Sequence, residues 1–303
     1  MPSNQTPLGA LPARFRRQRV LIVGCGDIGT RVARGLIAGT RVLALTSSES
    51  RVPELRRQGM VPLLGNLDRA KTLSRLAGLA HRVVYLAPPP SEGWGDPRVL
   101  ALLRALRKRP VPAQFVYGST SGVYGDCGGV RVDETRAVNA TTPRALRRVA
   151  AESQVRFFGR SAGVRTQILR IPGIYAPDRE GGTPRERLLK GTPVLRPEDD
   201  VYTNHIHSDD LARACVASLW KGKPQRIYNV TDDSQMKMGD YFDLAADLYQ
   251  LPRPQRVARD GAQQRLPVML LSFMSESRRL VNQRMKQELG LALRYPTVLD
   301  GLR

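Results

Sequence analysis

The amino-acid sequence predicts an α/β protein in which helices cover both faces of one parallel sheet, followed by a smaller C-terminal lobe. Two observations predict this fold. Short apolar runs rich in β-branched residues recur along the first half of the chain, and stretches of helical period lie between them. The chain also has 303 residues, 41% of them hydrophobic, which is enough for a large core and a second lobe.

The first strand and helix are joined by a glycine-rich turn. A strand is predicted over 19–23, and Gly24-x-Gly26-x-x-Gly29 follows it before a helical pattern. In such a turn the first glycine permits the tight bend, the second leaves room for a pyrophosphate and the third allows close helix packing. The free N–H groups of the helix also attract phosphate. This pattern indicates a Rossmann dinucleotide site, and the alternative is a turn that binds nothing. The predicted ligands in this loop are Gly24, Cys25, Gly26, Asp27, Ile28 and Gly29.

The end of the second predicted strand, over 41–46, bears on the choice of cofactor. NAD-specific sites place an acidic residue there to bind the ribose 2′-hydroxyl. Here the strand ends at Thr46 and Ser47, and Arg51 follows closely. Because hydroxyl groups and a cation suit a 2′-phosphate, we expect NADP to be preferred over NAD. The alternative is that Glu49 serves as the ribose acid and that Arg51 is an ordinary exposed arginine.

The later strands complete the predicted cofactor site. Strands are predicted over 61–64, 81–87 and 114–117, and helices over 31–38, 52–58, 73–79 and 97–109. In a doubly wound parallel sheet the ligand lies outside the carboxyl ends of the strands. Further cofactor contacts are therefore expected at Asn66, Leu67, Leu86, Ala87 and Pro88.

Four later segments carry a recognisable order of motifs. They are 118–126 (GSTSGVYGD), 169–177 (LRIPGIYAP), 204–212 (NHIHSDDLA) and 227–230 (IYNV). Together with the glycine loop, they resemble the extended short-chain dehydrogenase/reductase superfamily, in its NAD-dependent epimerase/dehydratase group. The resemblance runs from Arg19 to about Val230. It implies NAD or NADP as the cofactor, with Pro172 beside the nicotinamide.

The resemblance also suggests a division of the chain. A Rossmann domain over 18–177 is completed by 203–231, and a small substrate-binding lobe is formed by 178–202 with 232–303. Within that lobe, helices are predicted over 185–190, 238–249 and 277–289. The arginine-rich stretch 1–17 is predicted to be a disordered basic tail.

The chain departs from the family at the residues that transfer a proton. Family enzymes place a Ser or Thr after the fifth strand and a Tyr-x-x-x-Lys on the next helix, where the lysine lowers the pKa of the tyrosine. Thr120 matches the first position, whereas Arg144 and Arg148 replace the tyrosine and the lysine. Arginine does not donate a proton near neutral pH, but it binds anions. Arg148 is therefore assigned to cofactor ribose or phosphate, and Arg144 to a ligand carboxylate or phosphate. The alternative places both on the solvent face of a basic helix.

Several residues are candidates for the missing proton donor. Tyr124 lies four residues after Thr120 and is paired with it as the predicted catalytic residues, with packing as the alternative role for Tyr124. His205 and His207 are further titratable candidates, although His207 matches a histidine that is often structural in the family.

Two other features have a structural and a chemical interpretation. Asp209 and Asp210 begin a predicted helix, where capping explains an acid without catalysis. Cys25 lies at a helix N-terminus, which lowers the pKa of a thiol. Cys25 therefore has two possible roles: a redox-active thiol, or simply a small side chain that fits between the glycines.

Composition restricts the remaining function classes. The formal net charge of +21 comes mainly from arginines spread along the whole chain, and no recognised nucleic-acid-binding motif accompanies them. The charge alone therefore does not indicate a nucleic-acid-binding protein. No apolar run approaches the ~20 residues that span a membrane, and the N-terminal stretch lacks the apolar core of a secretory signal. Three cysteines fit neither a metal site nor a disulfide framework, so we expect a cytoplasmic protein without a metal.

The sequence leaves three function classes. The first is an atypical NAD(P)-binding short-chain dehydrogenase/reductase, an oxidoreductase or epimerase/dehydratase-like protein with an unidentified small-molecule substrate; loss of the Tyr–Lys pair leaves its turnover an open question. The second is a non-catalytic NADP(H) sensor that acts through a partner. The third and weakest is a basic protein associated with nucleic acid. The family resemblance further suggests a homodimer formed through the helices around 97–109 and 142–159.

Overall fold

The computed structural model describes residues 18–261, 271 and 274–303. Its central strands are β1 (Arg19–Val23), β2 (Arg41–Thr46), β3 (Val61–Leu64), β4 (Arg82–Tyr85), β5 (Gln114–Thr120), β6 (Arg165–Ile171) and β7 (Arg226–Asn229). They form one parallel sheet in the order β7-β6-β5-β4-β1-β2-β3. This is the predicted doubly wound order of the Rossmann type. The predicted tail over 1–17 lies outside the described residues.

Helices and short strands complete the described chain. The helices are α1 (Asp27–Leu36), α2 (Val52–Arg57), α3 (Pro97–Leu106), α4 (Pro143–Ala162), α5 (Arg185–Leu189), α6 (Ser208–Lys221), α7 (Met238–Leu248), α8 (Gln283–Leu289) and α9 (Val298–Leu302). Short 3₁₀ helices lie at Glu49–Arg51, Ala70–Leu76 and Ser121–Tyr124. Short strands lie at Arg131–Val132, Gly173–Tyr175, Val194–Leu195, Tyr202–Thr203, His205–His207, Met236–Lys237, Arg256–Val257 and Arg279–Leu280. Across the described residues, no helix is both long enough and apolar enough to cross a membrane.

Each face of the sheet packs against its own helical layer because apolar side chains alternate along the strands. In β1, Val20 and Ile22 belong to the core shared with α1 and α6, whereas Leu21 and Val23 belong to the core shared with α3 and α4. All four side chains are at most 1% exposed. Since burial of one such side chain is worth about 1.5–3 kcal/mol, the two layers together hold β1 in the interior of the sheet.

Two predicted helices differ from the structure. The stretch predicted over 73–79 is the 3₁₀ helix Ala70–Leu76, in which the fully buried Leu73 and Leu76 follow the three-residue repeat of that helix. The helix predicted over 277–289 begins only at Gln283. Before it, Arg279–Leu280 pairs with Arg131–Val132 as a short parallel ladder. A strand partner distant in the sequence thus overrides the local helical pattern.

A second core forms the lobe beside the sheet. It is built from α5, α7 and α9 and from the paired strands Val194–Leu195 and Arg256–Val257. The C-terminal part of the chain is not all in this lobe, however. Met285 and Leu289 of α8 are fully buried in the sheet core with α1 and α6, so the predicted assignment of all of 232–303 to the lobe needs correction. The predicted pairing of two copies through α3 and α4 stays a prediction.

Candidate functional site

The glycine loop between β1 and α1 is held by backbone contacts at its two ends. Gly24 has a φ of +95°, and a Cβ there would lie 2.4 Å from the backbone nitrogen of Ala87. A Cβ at Gly29 would lie 2.4 Å from the carbonyl oxygen of Gly24. Gly26 differs, because a Cβ at that position would meet nothing within 4 Å. The outer glycines are therefore required by the fold, whereas the middle one borders open space.

The N-terminus of α1 faces that space without a side-chain cap. Gly26 is the N-cap residue and offers no side-chain acceptor to the first turn. Its carbonyl accepts the N–H of Thr30 at 2.9 Å, which begins the helix. The first-turn N–H groups thus have no side-chain cap, the arrangement that binds phosphate at helix N-termini.

Asp27 places a negative charge in this first turn, where two arginines compensate it. Arg31 Nε lies 2.8 Å from one carboxylate oxygen and Arg179 Nη1 lies 2.5 Å from the other. The Arg31 guanidinium, only 9% exposed, also bonds Asp178 at 2.7 Å and Asp209 at 2.6 Å. These ion pairs join the loop that follows the strand 173–175 to the N-terminal part of α1.

Cys25 is a buried residue of the loop and not a reactive thiol. Its side chain is 4% exposed, and its Sγ lies 3.7 Å from the Ile22 carbonyl oxygen. Burial raises the pKa of this thiol to about 12, against the opposing charge of Arg51. The expected lowering of its pKa by the helix N-terminus is therefore wrong, because desolvation of the thiolate outweighs the helix dipole.

Arg51 reaches the glycine loop from the end of β2. Its Nη1 donates to the Cys25 carbonyl oxygen at 2.6 Å, although residue 51 is distant from the loop in the sequence. Thr46 is buried and its Oγ1 bonds the backbone of the following turn, while Ser47 is exposed. Glu49, the alternative ribose acid, is exposed and forms no ion pair with a described residue. The cation, and not the acid, is thus placed against the loop.

The ends of β3 and β4 meet the same edge of the sheet. Arg98 joins them, since its guanidinium bonds both carboxylate oxygens of Asp68 at 2.7 Å and lies 3.3 Å from the carbonyl oxygen of Pro88. The loop after β4 is also tied to β1, because the Leu86 N–H donates to Val23 at 2.7 Å. These contacts bring to one edge the predicted residues Asn66, Leu67, Leu86, Ala87 and Pro88.

Thr120 ends β5 and caps the 3₁₀ helix that follows. Its Oγ1 accepts the N–H of Gly122 at 3.2 Å, which leaves the hydroxyl proton free for a ligand. A Cβ at Gly122 would lie 3.7 Å from the Cβ of Ala145, so the start of α4 adjoins Thr120. Pro172 follows the neighbouring strand β6, which pairs with β5 up to Thr120, and is half-buried.

Arg148 and Arg144 lie in different surroundings. Arg148 is 8% exposed, and its Nη1 donates to the Tyr117 hydroxyl at 3.0 Å and to the Gly118 carbonyl at 2.9 Å. The solvent-face alternative is therefore wrong for Arg148, whose Nε and Nη2 form no hydrogen bond with a described residue. Arg144 is exposed and makes no hydrogen bond or ion pair with any described residue.

Tyr124 does not occupy the position of a proton donor. It is 1% exposed, and its hydroxyl donates to Asn229 Oδ1 at 2.8 Å. The Arg170 guanidinium lies 4.6 Å from its ring, and burial raises its pKa. These contacts correct the catalytic assignment made from sequence, because a buried hydroxyl that already donates within the core is not free to serve a substrate.

The two histidines and the following acids are also structural. His205 is 6% exposed, and burial followed by the charge of Arg187 lowers its pKa to about 4. His207 caps α6, since its Nδ1 accepts the N–H of Asp209 at 3.2 Å. The capping role predicted for Asp209 and Asp210 is therefore wrong, because the N-cap of α6 is His207. Asp209 instead pairs with Arg31, and Asp210 accepts the backbone N–H groups of Arg294 at 3.0 Å and Tyr295 at 2.9 Å.

A buried ion pair beneath Thr120 is absent from the sequence-based interpretation. Arg170 Nη2 lies 2.8 Å from Glu152 Oε2, with side-chain exposures of 3% and 5%. Ser119 donates to the same carboxylate at 2.6 Å. The pair joins α4, β5 and β6 directly below the end of β5. The only signal in the sequence is an acid within the arginine-rich helix 143–162, which does not identify its partner.

Comparison with known proteins identifies the family. The model of the NAD-dependent epimerase/dehydratase family matches residues 20–231. A GDP-6-deoxy-D-mannose reductase from Pseudomonas aeruginosa is 26% identical over 50% of this chain and 54% of its own, so the match spans about half of that relative. A conserved protein of unknown function from Silicibacter pomeroyi is 31% identical, with a TM-score of 0.79 over 94% of this chain and 96% of that one. The Thermus thermophilus UDP-glucose 4-epimerase, solved as a complex with NAD, shares the fold at 23% identity, with a TM-score of 0.73 over 94% and 97% of the two chains. The chain belongs to the NAD-dependent epimerase/dehydratase family.

Proposed function

We propose that this protein binds NADP(H), in preference to NAD(H), across the carboxyl edge of its sheet. The observation that carries the proposal is the open space at Gly26, enclosed by a loop whose other two glycines are fixed by backbone contacts. The uncapped N-terminus of α1 supplies N–H groups for a pyrophosphate there. Gly24, Cys25, Gly26, Asp27, Ile28 and Gly29 would hold it through the backbone.

The preference for NADP is carried by Arg51. The Arg51 side chain is 37% exposed, and its guanidinium bonds the Cys25 carbonyl oxygen. This places it near the end of β2, where the adenosine ribose is expected. An arginine beside exposed Ser47 suits a 2′-phosphate, because guanidinium forms charge-assisted hydrogen bonds to phosphate. Thr46 shapes the turn, and Asn66, Leu67, Leu86, Ala87, Pro88 and Pro172 would border the remaining cofactor.

We expect Arg51→Ala to weaken NADPH binding by about tenfold while changing NADH binding by less than about threefold, since tenfold corresponds to about 1.4 kcal/mol of lost phosphate contact. The measurement is a titration of each nucleotide followed by nicotinamide fluorescence. Arg57→Ala is the matched control, because Arg57 is exposed on the adjacent helix and forms no hydrogen bond or ion pair with a described residue. Equal losses for both nucleotides would contradict the NADP preference.

The bound nicotinamide would supply a hydride acceptor or donor, and the chain retains one group for orienting a substrate oxygen. Thr120 has a free hydroxyl proton, whereas the Tyr124 hydroxyl donates within the core, His207 caps α6 and His205 is buried. Curated relatives are named for reactions on sugar nucleotides, among them GDP-6-deoxy-D-mannose reductase. We therefore propose a small-molecule oxidoreductase or epimerase/dehydratase-like activity that depends on Thr120 without a tyrosine acid.

A second candidate function is a non-catalytic NADP(H) sensor. The observation that favours it is the placement of Arg144 and Arg148 where the family carries its tyrosine and lysine, with Tyr124 buried. Such a protein would retain the nucleotide site and lose proton transfer.

Oxidation of NADPH, followed at the nicotinamide absorbance with a panel of carbonyl compounds and sugar nucleotides, separates the two candidates. The enzyme proposal expects turnover with at least one compound and a loss of about tenfold or more in Thr120→Ala. NADPH binding without turnover across the panel supports the sensor. Activity that is unchanged in Thr120→Ala would contradict the role given to Thr120.

A further inference from the structure

Three arginines crowd the first two turns of α4. Arg144, Arg147 and Arg148 follow the N-cap Thr142, and no acidic residue lies in the first turn. A helix N-terminus carries a partial positive charge, so cations there are unfavourable. Desolvation is the largest cause that lowers the pKa of Arg144, followed by the charges of Arg148 and Arg147. This helix end therefore concentrates positive charge that no neighbouring side chain of the same turn neutralises.

The guanidinium groups of this cluster are incompletely bonded. Arg147 and Arg148 are 7% and 8% exposed, yet the Nε of each is buried without a hydrogen-bond partner among the described residues. Arg147 Nη1 donates to the Gly93 carbonyl at 2.9 Å, and Arg148 uses Nη1 on β5. The hydrogen bonds within the protein therefore satisfy these two buried charges only in part, and the remaining positive charge favours an anion near the start of α4.

No acid of the described chain pairs with the cluster. The charge of Asp96 interacts with Arg148, but Asp96 caps α3 through the Val99 N–H at 3.1 Å. It forms no ion pair with any arginine among the described residues, and its Oδ2 is itself buried without a partner. Asp96 therefore offsets part of the charge of the buried Arg148. The charge of Arg144, at the surface, has no acidic partner among the described residues.

The cluster adjoins the end of β5, where chemistry would occur. Arg148 bonds the Gly118 carbonyl, two residues before Thr120, and Ala145 lies next to Gly122. Arg144 is one helical turn before Arg148 and directly precedes Ala145, so it lies in the first turn of α4, next to the segment that adjoins Gly122. The exposed residue Arg144 thus lies at the end of α4 that adjoins the end of β5, where the nicotinamide is proposed to lie.

We propose that Arg144, supported by Arg147 and Arg148, forms an oxyanion-binding site for the cleft ligand, which therefore carries a carboxylate or a phosphate group. Arg144 is the direct ligand, because its guanidinium is exposed, unpaired and able to bind either group in a bidentate manner. Arg147 and Arg148 hold the loop at 93 and β5 in place and add positive potential. The position beside the nicotinamide rests on the proposed function, whereas the anion site itself rests on this cluster alone.

Equilibrium dialysis of the full-length protein with radiolabelled inorganic phosphate and, separately, radiolabelled oxalate tests the site, with ionic strength held constant by potassium chloride. We expect saturable binding of at least one probe with a Kd in the millimolar range or below, and the probe bound more tightly tells phosphate from carboxylate. Arg144→Ala should weaken it about tenfold or more, and Arg144→Lys by less. Arg160→Ala, an exposed arginine at the other end of α4 with no hydrogen-bond or ion-pair partner among the described residues, should bind as the wild type does.

Equal affinities in Arg144→Ala and Arg160→Ala, or no saturable binding of either probe, would overturn the anion site. The same dialysis is repeated with saturating NADPH. If NADPH does not bind but the anion still does, the proposed function fails while the site stands. If NADPH binds and the anion does not, the anion site is refuted while the proposed NADP(H) binding stands.

Discussion

Gly26→Ala is expected to fold normally and to lose about 100-fold in affinity for NADPH and NADH alike. A Cβ at Gly26 meets no protein atom within 4 Å, so the folded state accommodates the methyl group. The methyl instead occupies the space in which the pyrophosphate would approach the backbone, at a cost of about 2.7 kcal/mol of binding. The measurements are nucleotide titration by nicotinamide fluorescence and urea unfolding of the same preparations.

The other glycines provide matched controls for this result. A Cβ at Gly39 also meets nothing within 4 Å, but that residue follows α1 at the far end from the loop, so Gly39→Ala should keep both affinity and stability. At Gly29 a Cβ would lie 2.4 Å from the Gly24 carbonyl oxygen, so Gly29→Ala should lower the free energy of unfolding. Wild-type affinity in Gly26→Ala would contradict a pyrophosphate at this position.

Glu152→Ala is expected to lower the free energy of unfolding by about 3–5 kcal/mol. The substitution leaves the Arg170 guanidinium, with a side-chain exposure of 3%, as an uncompensated charge in the core. It also removes the acceptor of the Ser119 hydroxyl, 2.6 Å away. Because this carboxylate joins α4, β5 and β6 below Thr120, the loss should weaken the whole edge of the sheet. Urea unfolding followed by circular dichroism measures the effect.

Asp247→Ala is the control, since Asp247 and Arg253 form an exposed ion pair at 2.7 Å with side-chain exposures of 52% and 62%. Exposed ion pairs contribute little to stability because water screens them, so this variant should leave the free energy of unfolding almost unchanged. The double variant Glu152→Leu with Arg170→Met removes both buried charges and should recover much of the stability lost in Glu152→Ala. A loss in Glu152→Ala no larger than in Asp247→Ala would show that the buried pair does not support the site.

The sequence predicts those parts of the fold whose signal is local. The strands 41–46 and 61–64 have the same bounds in the prediction and in the structure, because their apolar runs are bounded by turn residues. The helix predicted at 73–79 is the 3₁₀ helix Ala70–Leu76, and 279–280 is a strand because it pairs with 131–132, which is distant in the sequence. The hydrophobic pattern of a short segment carries no information about a strand partner so far away in the sequence.

The site divides in the same way. The glycine loop is identifiable from the sequence because its turn and its close backbone contacts require glycine at fixed positions. The partners of Arg31 at residues 178 and 209, and the Asn229 partner of Tyr124, are separated by 147, 178 and 105 positions along the chain. Side-chain pairing over such separations follows from the completed fold. For this reason the sequence supported a catalytic Tyr124 that the structure places in the core.

Titration of the purified wild-type protein with NADPH and with NADH, followed by nicotinamide fluorescence, tests the central claim most directly. The account predicts saturable binding with micromolar affinity, one nucleotide per chain, and tighter binding of NADPH than of NADH. Tighter binding of NADH would retain the dinucleotide site and refute the role given to Arg51. Absence of binding for both nucleotides would contradict the account, since the enzyme and the sensor both depend on an occupied glycine loop.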